Sequence, residues 1–149
     1  MISFESTIQV PFHDVDLLSV AWHGHYAKYC EISRTDLART IGIDWPELEE
    51  KQIVMPIVHF SCEYRKPLLY GKRYAIRATA ESPLLPKFCV EYVFTHLETG
   101  EFHAKAHTEQ VYINRGSGEI LFALPDFLKQ KIEAATKQNR DSMKSNRGG

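Results

Sequence analysis

The sequence predicts a two-layer α+β domain in which one long helix packs against an antiparallel β-sheet. A segment with helical periodicity occupies residues 27–41, and segments that alternate between apolar and polar residues follow from about residue 58. Short turns with Pro or Gly separate the alternating segments, as expected for consecutive strands that pair as an antiparallel meander. The helix must bury its apolar face against that sheet, and a chain of 149 residues with 44% hydrophobic content is long enough for one such core.

The first half of the chain is predicted to contain one strand and two helices. Residues Glu5–Phe12 alternate loosely, which favours a strand. The long helix, Ala27–Ile41, ends before Gly42, which suits a left-handed C′ position, and Asp44 provides an N-cap for a short second helix. The predicted core-facing positions of the long helix are three or four residues apart: Tyr26, Tyr29, Cys30, Ser33, Leu37 and Ile41.

The second half is predicted to consist of strands and a terminal helix. The predicted strands are Val58–Arg65, Lys72–Glu81, Lys87–Leu97, Phe102–Ile113 and Glu119–Ala123, and a helix follows from Pro125 to about Thr136. Residues 1–136 therefore form a single predicted domain. The polar residues 137–149 are predicted to be a flexible C-terminal tail.

Composition excludes several classes of partner and site. The chain has 18 Lys and Arg residues and 19 Asp and Glu residues, so its formal net charge is only −1. Its overall electric field therefore does not attract nucleic acid or an anionic membrane. No apolar run is long enough to span a bilayer, and the N-terminus lacks the pattern of a secretory signal, so a cytoplasmic location is expected. The wide spacing of Cys30, Cys62 and Cys89 favours small buried side chains over a disulfide framework or a zinc site.

The densest set of reactive side chains lies directly before the long helix. Residues 13–26 contain two carboxylates, Asp14 and Asp16, together with three imidazoles and Gly24. A helix start presents unpaired backbone N–H groups and a partial positive charge, and a carboxylate just upstream can act as a base or a nucleophile. The combination indicates acyl-transfer chemistry. In a strand-like register both aspartates lie on one face, so their spacing does not distinguish between them.

Two motifs resemble the 4-hydroxybenzoyl-CoA thioesterase and YbgC-like branch of the hotdog-fold thioesterases. One is Asp-x-Asp followed, after three residues, by Val-x-Trp-His-x-x-Tyr, within Asp14–Tyr26; the other is Phe-x-x-x-Tyr-Arg-Lys-Pro-Leu, at Phe60–Leu68. The likeness extends more weakly over residues 5–125. It implies a hotdog fold, in which a sheet of about five strands wraps the central helix. It also implies a homodimer or homotetramer with active sites between subunits.

The resemblance assigns roles within the loop before the helix. It implies that Asp16 is the catalytic carboxylate, with Asp14 as a solvated or hydrogen-bonding neighbour. It also implies that the backbone N–H of His23 polarises the thioester carbonyl, and whether the His23 imidazole additionally orients the acid or a water molecule stays open. Many family members carry glycine where this chain has Ser19, and a positive φ there would suit serine less well.

Further residues complete the predicted site. Gly24 lets the acyl carbon approach the backbone closely, Tyr26 belongs to the same substrate-binding segment, and His25 is predicted to line the entrance. The phosphates of coenzyme A would require cationic side chains. The candidates are Lys87, Arg65 and Lys66.

No metal or redox cofactor is predicted. His23 and His25 are two residues apart at a helix start, where their side chains diverge, and the loop lacks the spacing of a metal site. His103 and His107 share one face of a predicted strand and are interpreted, with His96, as solvated strand surface.

The predicted activity is hydrolysis of an acyl-CoA or acyl-carrier-protein thioester to a free acid and a thiol. Asp16 would act as a general base on water or as a nucleophile that forms a mixed anhydride. Two alternatives stay open. A hotdog dehydratase would act on a hydroxyacyl thioester and leave the thioester intact, and a non-catalytic acyl-CoA binding domain would use the same pocket without turnover.

Overall fold

The computed structural model describes residues 1–148, which form three α-helices and seven strands. In chain order the elements are β1 (Ile2–Gln9), α1 (Tyr26–Ile41), α2 (Trp45–Glu50), β2 (Ile53–Val54), β3 (Ile57–Tyr64), β4 (Arg73–Ala80), β5 (Lys87–His96), β6 (Phe102–Val111), β7 (Ile113–Asn114) and α3 (Asp126–Arg147). Two 3₁₀ turns, Phe12–Asp14 and His23–His25, lie in the connection between β1 and α1. Among these residues, no helix combines the length and the apolar content needed to cross a bilayer.

Five strands form one antiparallel sheet in the order β1-β4-β5-β6-β3. The strands β4, β5 and β6 are consecutive neighbours, which confirms the predicted meander for these three strands, whereas the expected pairing of β3 with β4 was wrong because β3 pairs with β6. The strand β1 adds outside β4, and β3 adds outside β6. A separate pair, β2 with β7, was not predicted because each has only two residues.

The core lies between the sheet and α1. The inward positions of β5 are buried while the positions between them are more exposed, as expected for a sheet with one covered face. All six positions predicted to form the core-facing side of α1 are buried, and this side packs against β1 and β4. The predicted α+β class, with a central helix against a five-stranded sheet in the hotdog layout, is confirmed.

The ends of α1 and α2 also follow their sequence signals. Gly42 has φ of 82°, and its N–H donates to the carbonyl oxygens of Ala38 and Arg39. The carboxylate of Asp44 accepts a hydrogen bond from the Trp45 N–H at 2.8 Å. Both caps match the prediction.

The C-terminal part of the chain differs from the prediction. The predicted strand Glu119–Ala123 is reduced to a single bridge between Ile120 and Ile113. The last helix does not end near Thr136 but continues to Arg147. Extending an existing helix requires no new nucleus, and the Lys, Gln, Arg and Met residues of this stretch propagate it readily. The boundary of the folded domain at residue 136 stays a prediction.

The strand β3 is an edge of the sheet and is exposed along most of its length. Three of its apolar side chains, Ile57, Val58 and Phe60, are 44%, 54% and 38% exposed. A long apolar edge strand with unpaired backbone groups is a surface on which another strand can pair.

Candidate active site

The first aspartate of the loop, Asp14, is buried. The 3₁₀ turn Phe12–Asp14 directs its side chain inward, and only 1% of the residue is exposed. Its carboxylate accepts hydrogen bonds from the Tyr29 hydroxyl at 2.6 Å and from the Lys28 ammonium at 2.5 Å. Burial alone would raise the pKa of Asp14, but the hydrogen bonds from Lys28 and Tyr29, with the positive charge of Lys28, hold that pKa below its ordinary value. Asp14 is therefore an ionised anchor between the loop and α1.

The second aspartate, Asp16, lies in an exposed tight turn. One carboxylate oxygen accepts the Leu18 N–H at 2.8 Å, while the backbone N–H of Asp16 donates to the Val20 carbonyl at 3.0 Å. Ser19 closes the turn with φ of 63°. The positive φ considered at this position from the family resemblance is therefore present, and glycine adopts it with less strain than serine.

The two aspartates do not share a face. The expectation of a strand-like register was wrong because Asp14 belongs to the 3₁₀ turn, whereas Asp16 lies beyond it in a separate tight turn. The prediction of a hydrogen-bonding Asp14 is confirmed, and the alternative of a solvated Asp14 is wrong.

The start of the helical segment presents unpaired amides. The N–H of Trp22 donates to the Asp14 carbonyl, and the N–H of His25 donates to the Trp22 carbonyl. Within the described part of the chain, the His23 and Gly24 amides have no such acceptor. They are available to an oxygen atom of a ligand.

The packing of the Trp22 side chain explains why glycine occupies position 24, a reason that sequence reasoning missed. A Cβ added to Gly24 would lie 2.1 Å from Cζ3 of the Trp22 ring. The indole therefore occupies the space next to Gly24, and any larger residue would displace it. Because this contact depends on the rotamer of Trp22, the motif alone could not predict it.

A cavity of about 320 Å³ lies beside the Asp16 turn and the helix start. Its walls come from Asp16, Val20, Ala21, His23, Tyr26, Tyr64, Arg65, Lys66 and Pro67. The cavity thus brings together the predicted acid, the segment predicted to bind the oxyanion, and a basic segment 40 residues further along the chain. These predicted site residues meet in one place, although their catalytic roles stay predictions.

Tyr64 is a cavity residue that sequence reasoning did not single out. Its hydroxyl donates to the His23 carbonyl at 3.0 Å, and its ring packs edge-on against Tyr26 with centroids 4.7 Å apart. Burial raises the pKa of both Tyr64 and Tyr26 to about 12, so both hydroxyls are protonated at neutral pH. The only sequence signal was the position of Tyr64 directly before Arg65 in the second motif.

The basic segment is held in place by His103. The N–H groups of Arg65 and Lys66 donate to the His103 carbonyl at 3.0 and 2.9 Å, and the His103 ring Nδ1 lies 3.1 Å from the Pro67 carbonyl. The next carbonyl, that of Leu68, accepts the Ala21 N–H. His103 is buried under this segment, so its interpretation as solvated strand surface was wrong.

The cations predicted to bind coenzyme A are divided between two ends of the sheet. Arg65 and Lys66 line the cavity. Nη2 of Arg65 lies 3.5 Å from Oε2 of Glu63, and the Lys66 ammonium forms an ion pair with Glu101. Lys87 pairs with position 111 of β6, whereas Tyr64 pairs with position 104. Those positions are seven residues apart, about 23 Å along a strand. Lys87 therefore does not reach the cavity of its own chain.

His25 lies outside the cavity wall. Its Nε2 is 3.8 Å from an Asp14 carboxylate oxygen, and its ring packs edge-on against Trp22 with centroids 5.5 Å apart. The structure thus places His25 behind the loop, next to the buried aspartate, rather than at the entrance of the cavity in its own chain.

A larger cavity, about 450 Å³, lies beside the C-terminal half of α1 and α2. It is lined by residues such as Arg34, Trp45 and Met55, but neither Asp16 nor the helix start reaches it. The smaller cavity is the better candidate for acyl-transfer chemistry because, unlike the larger one, it is lined by Asp16 and by His23, whose amide is unpaired.

Comparisons with known proteins identify the family and the fold of the chain. A sequence model described as the Thioesterase-like superfamily matches residues 10–132. A 1,4-dihydroxy-2-naphthoyl-CoA hydrolase of Crocosphaera subtropica is 28% identical over 107 residues, which cover 70% of this chain and 78% of that protein. A DHNA-CoA thioesterase from Staphylococcus aureus has the same fold, with a TM-score of 0.78 and 22% identity over 93% of this chain and 95% of its own. A 1,4-dihydroxy-2-naphthoyl-CoA thioesterase from Synechocystis superimposes with a TM-score of 0.75 and 21% identity, covering 87% of this chain and 95% of its own.

Proposed function

The chain belongs to the Thioesterase-like superfamily, and from that premise we propose that it hydrolyses an acyl-CoA thioester to a free acid and coenzyme A. The observation that carries the proposal is the 320 Å³ cavity, in which the Asp16 turn lies beside a helix start. A thioester carbonyl placed there would meet a carboxylate on one side and backbone donors on the other.

Asp16 is the proposed catalytic carboxylate. It lies in an exposed turn on the cavity wall, whereas Asp14 is buried and fully engaged with α1. As a general base Asp16 would take a proton from water, whose oxygen attacks the carbonyl carbon; the C–S bond then breaks and the thiolate leaves as coenzyme A. As a nucleophile Asp16 would itself attack the carbon and form an anhydride that water hydrolyses.

The amides of His23 and Gly24 are the proposed oxyanion donors. In both routes negative charge develops on the thioester oxygen, and pre-positioned N–H groups at a helix start stabilise that charge. The Tyr64 hydroxyl supports this geometry because it donates to the His23 carbonyl at 3.0 Å and so restrains the peptide that carries the Gly24 amide.

A second copy of the chain is proposed to complete the site. The exposed apolar edge of β3 suits pairing with the same strand of another subunit. Antiparallel pairing would bring the end of one β3 next to the start of the other. Lys87 of the second copy would then lie at the same end of the joint sheet as Arg65 and Lys66, where all three could contact the phosphates of one coenzyme A. Light scattering of the dilute protein tests this: we expect at least a dimer, and a fully active monomer would refute the shared site.

Release of free thiol from a panel of thioesters tests the activity. The panel should include aromatic acyl-CoAs, such as 1,4-dihydroxy-2-naphthoyl-CoA, because the two tyrosines of the cavity wall could pack against an aromatic acyl group. It should also include aliphatic acyl-CoAs of increasing length. Acyl-carrier-protein thioesters should be assayed in parallel. Free thiol and free acid in equal amounts would support hydrolysis. An enoyl thioester without free thiol would indicate the dehydratase alternative, and binding without turnover would indicate a non-catalytic domain.

A further inference from the structure

A second cluster of reactive side chains lies on the outer face of the sheet, away from α1. It consists of Cys89 on β5 and of His107 and Glu109 on β6, all half-buried. One ligand atom from each side chain lies within 4.8 Å of the others. A thiol, an imidazole and a carboxylate at that separation form a set of donors that a transition metal can bind.

The register of the sheet holds these side chains together. Cys89 is directly opposite Glu109, and Glu91 is directly opposite His107. Side chains at opposed positions and at positions two residues apart share one face of an antiparallel pair. The β5–β6 ladder runs without a break from Lys87 to Phe94, so the backbone fixes the four positions before any ligand binds.

The hydrogen bonds of His107 prepare one ring nitrogen for a metal. Its Nδ1 is in contact with the Glu91 carboxylate, and its Nε2 lies 3.1 Å from a carboxylate oxygen of Glu109. A carboxylate on Nδ1 orients the imidazole and makes it more basic, and it directs Nε2 toward Glu109, so a metal ion bound between Nε2 and the Glu109 oxygen would replace this hydrogen bond. Glu91 therefore has the position of an outer partner that orients a metal-ligating histidine.

We propose that Cys89, His107 and Glu109 bind one Zn²⁺ ion per chain, with Glu91 as the positioning residue for His107. The thiolate and imidazole favour zinc over the oxygen-preferring Mg²⁺ and Ca²⁺. Three protein ligands leave a fourth tetrahedral position for water. The ion would link β5 to β6 on the face opposite the core and thereby stabilise the sheet.

Lys87 is the charged neighbour of the cluster. Its ammonium pairs with the other carboxylate oxygen of Glu109 and neutralises part of the negative charge. The Lys87 side chain is 44% exposed and lies at the first position of β5, so it can turn toward solvent when an ion binds. The divalent ion then replaces the charge that Lys87 supplied.

Titration with Co²⁺ provides a direct spectroscopic test. Thiolate coordination gives a charge-transfer band in the near ultraviolet, and four-coordination gives intense visible bands. We expect both to saturate at one equivalent per chain and to disappear when Zn²⁺ is added. The protein should also show a higher Tm with Zn²⁺ than with a chelator, a comparison that needs no variant.

Matched variants localise the site. Cys89→Ser should remove the charge-transfer band, while Cys62→Ser, which changes a half-buried cysteine outside the cluster, should keep it. Glu91→Gln should weaken Zn²⁺ binding about 10–100-fold and leave the stoichiometry unchanged. A wild-type protein without the band, a band that survives in Cys89→Ser, or a Tm that does not respond to Zn²⁺ would overturn the proposal. Circular dichroism confirms that each variant is folded.

Discussion

Asp14 and Asp16 are separated by one residue, yet they lie in opposite environments. Asp14 is 1% exposed and accepts hydrogen bonds from two residues of α1, Lys28 and Tyr29. Asp16 is exposed, and its carboxylate accepts a hydrogen bond from the Leu18 N–H of its own turn. The comparison teaches that a carboxylate held by strong buried partners is suited to anchoring a loop. A carboxylate in an exposed turn on a cavity wall keeps an oxygen for a substrate or a water molecule.

The largest expected effect is that of Asp16→Asn on turnover. The amide keeps the size of the side chain but removes the basic carboxylate, so kcat should fall by about 10²–10⁴-fold. The Tm should stay close to that of the wild type because the side chain is exposed. Steady-state kinetics and thermal unfolding measure the two quantities. Equal losses of kcat in Asp16→Asn and Asp14→Asn would refute the division of roles.

His23→Ala separates the two roles that His23 can have. Alanine keeps the backbone donor at the helix start, so a role confined to the amide predicts wild-type rates. An imidazole that orients the acid or water predicts a loss of about 10²-fold, the lower end of the range for side-chain proton transfer. We expect impairment smaller than that of Asp16→Asn, measured as kcat over the thioester panel. Wild-type kcat throughout would eliminate the side-chain role.

Asp14→Asn should act mainly on stability. The variant weakens the hydrogen bonds from Tyr29 and Lys28 to a buried charged group, which costs about 1.5–3 kcal/mol of unfolding free energy. Chemical denaturation measures this loss, and Asp16→Asn is the matched control. A stability equal to that of the wild type would contradict the anchoring role.

The pH dependence of that loss provides an independent check. The pKa of Asp14 in the fold is lower than its ordinary value of 3.8, so the ionised group stabilises the fold above that pH. The contribution decreases as the pH falls through 3.8 and then through the folded-state pKa. The stability gap between wild type and Asp14→Asn should therefore be full near neutrality and narrow in acid. A gap that is constant with pH would show that charge is not its cause.

The smallest expected effect is a gain of stability in Ser19→Gly. Ser19 has φ of 63°, which costs an L-residue about 1–2 kcal/mol. Glycine removes this strain, but it loses more conformational entropy on folding, and that loss offsets part of the gain in stability. A net gain of about 0.5–1 kcal/mol follows. Denaturation midpoints measure it, with Ser19→Ala as the control that should not be stabilised. A destabilised Ser19→Gly would mean that the serine hydroxyl contributes more than the strain costs.

Sequence patterns within single segments predicted much of the fold. The spacing of residues in α1 identified all six of its core-facing positions, because helical periodicity is a local property. Gly42 and Asp44 marked helix ends for the same reason. Alternation located the strands of the meander, but it could not detect the two-residue pair β2 and β7 or the continuation of α3 to Arg147.

The candidate site was predicted in part. The motif in the loop and the segment before Leu68 pointed to residues that do meet at one cavity, including Asp16, His23 and Arg65. The sequence could not reveal that His103 supports the basic segment, because His103 on β6 and the loop after β3 are far apart along the chain and are joined only by tertiary hydrogen bonds. It also grouped Lys87 with Arg65 by charge alone, although the sheet register places them far apart.

The sequence by itself determined the α+β class, the apolar face of α1 and the junction of an acidic loop with a helix start. Each depends on residue types at short, regular spacings, which local backbone geometry converts into structure. Only the tertiary structure decided that Asp14 is buried while Asp16 is exposed, that Tyr64 contacts His23, and that Cys89 is opposite Glu109. Those relations depend on strand register, on a 3₁₀ turn and on packing between distant segments, which no spacing along the chain specifies.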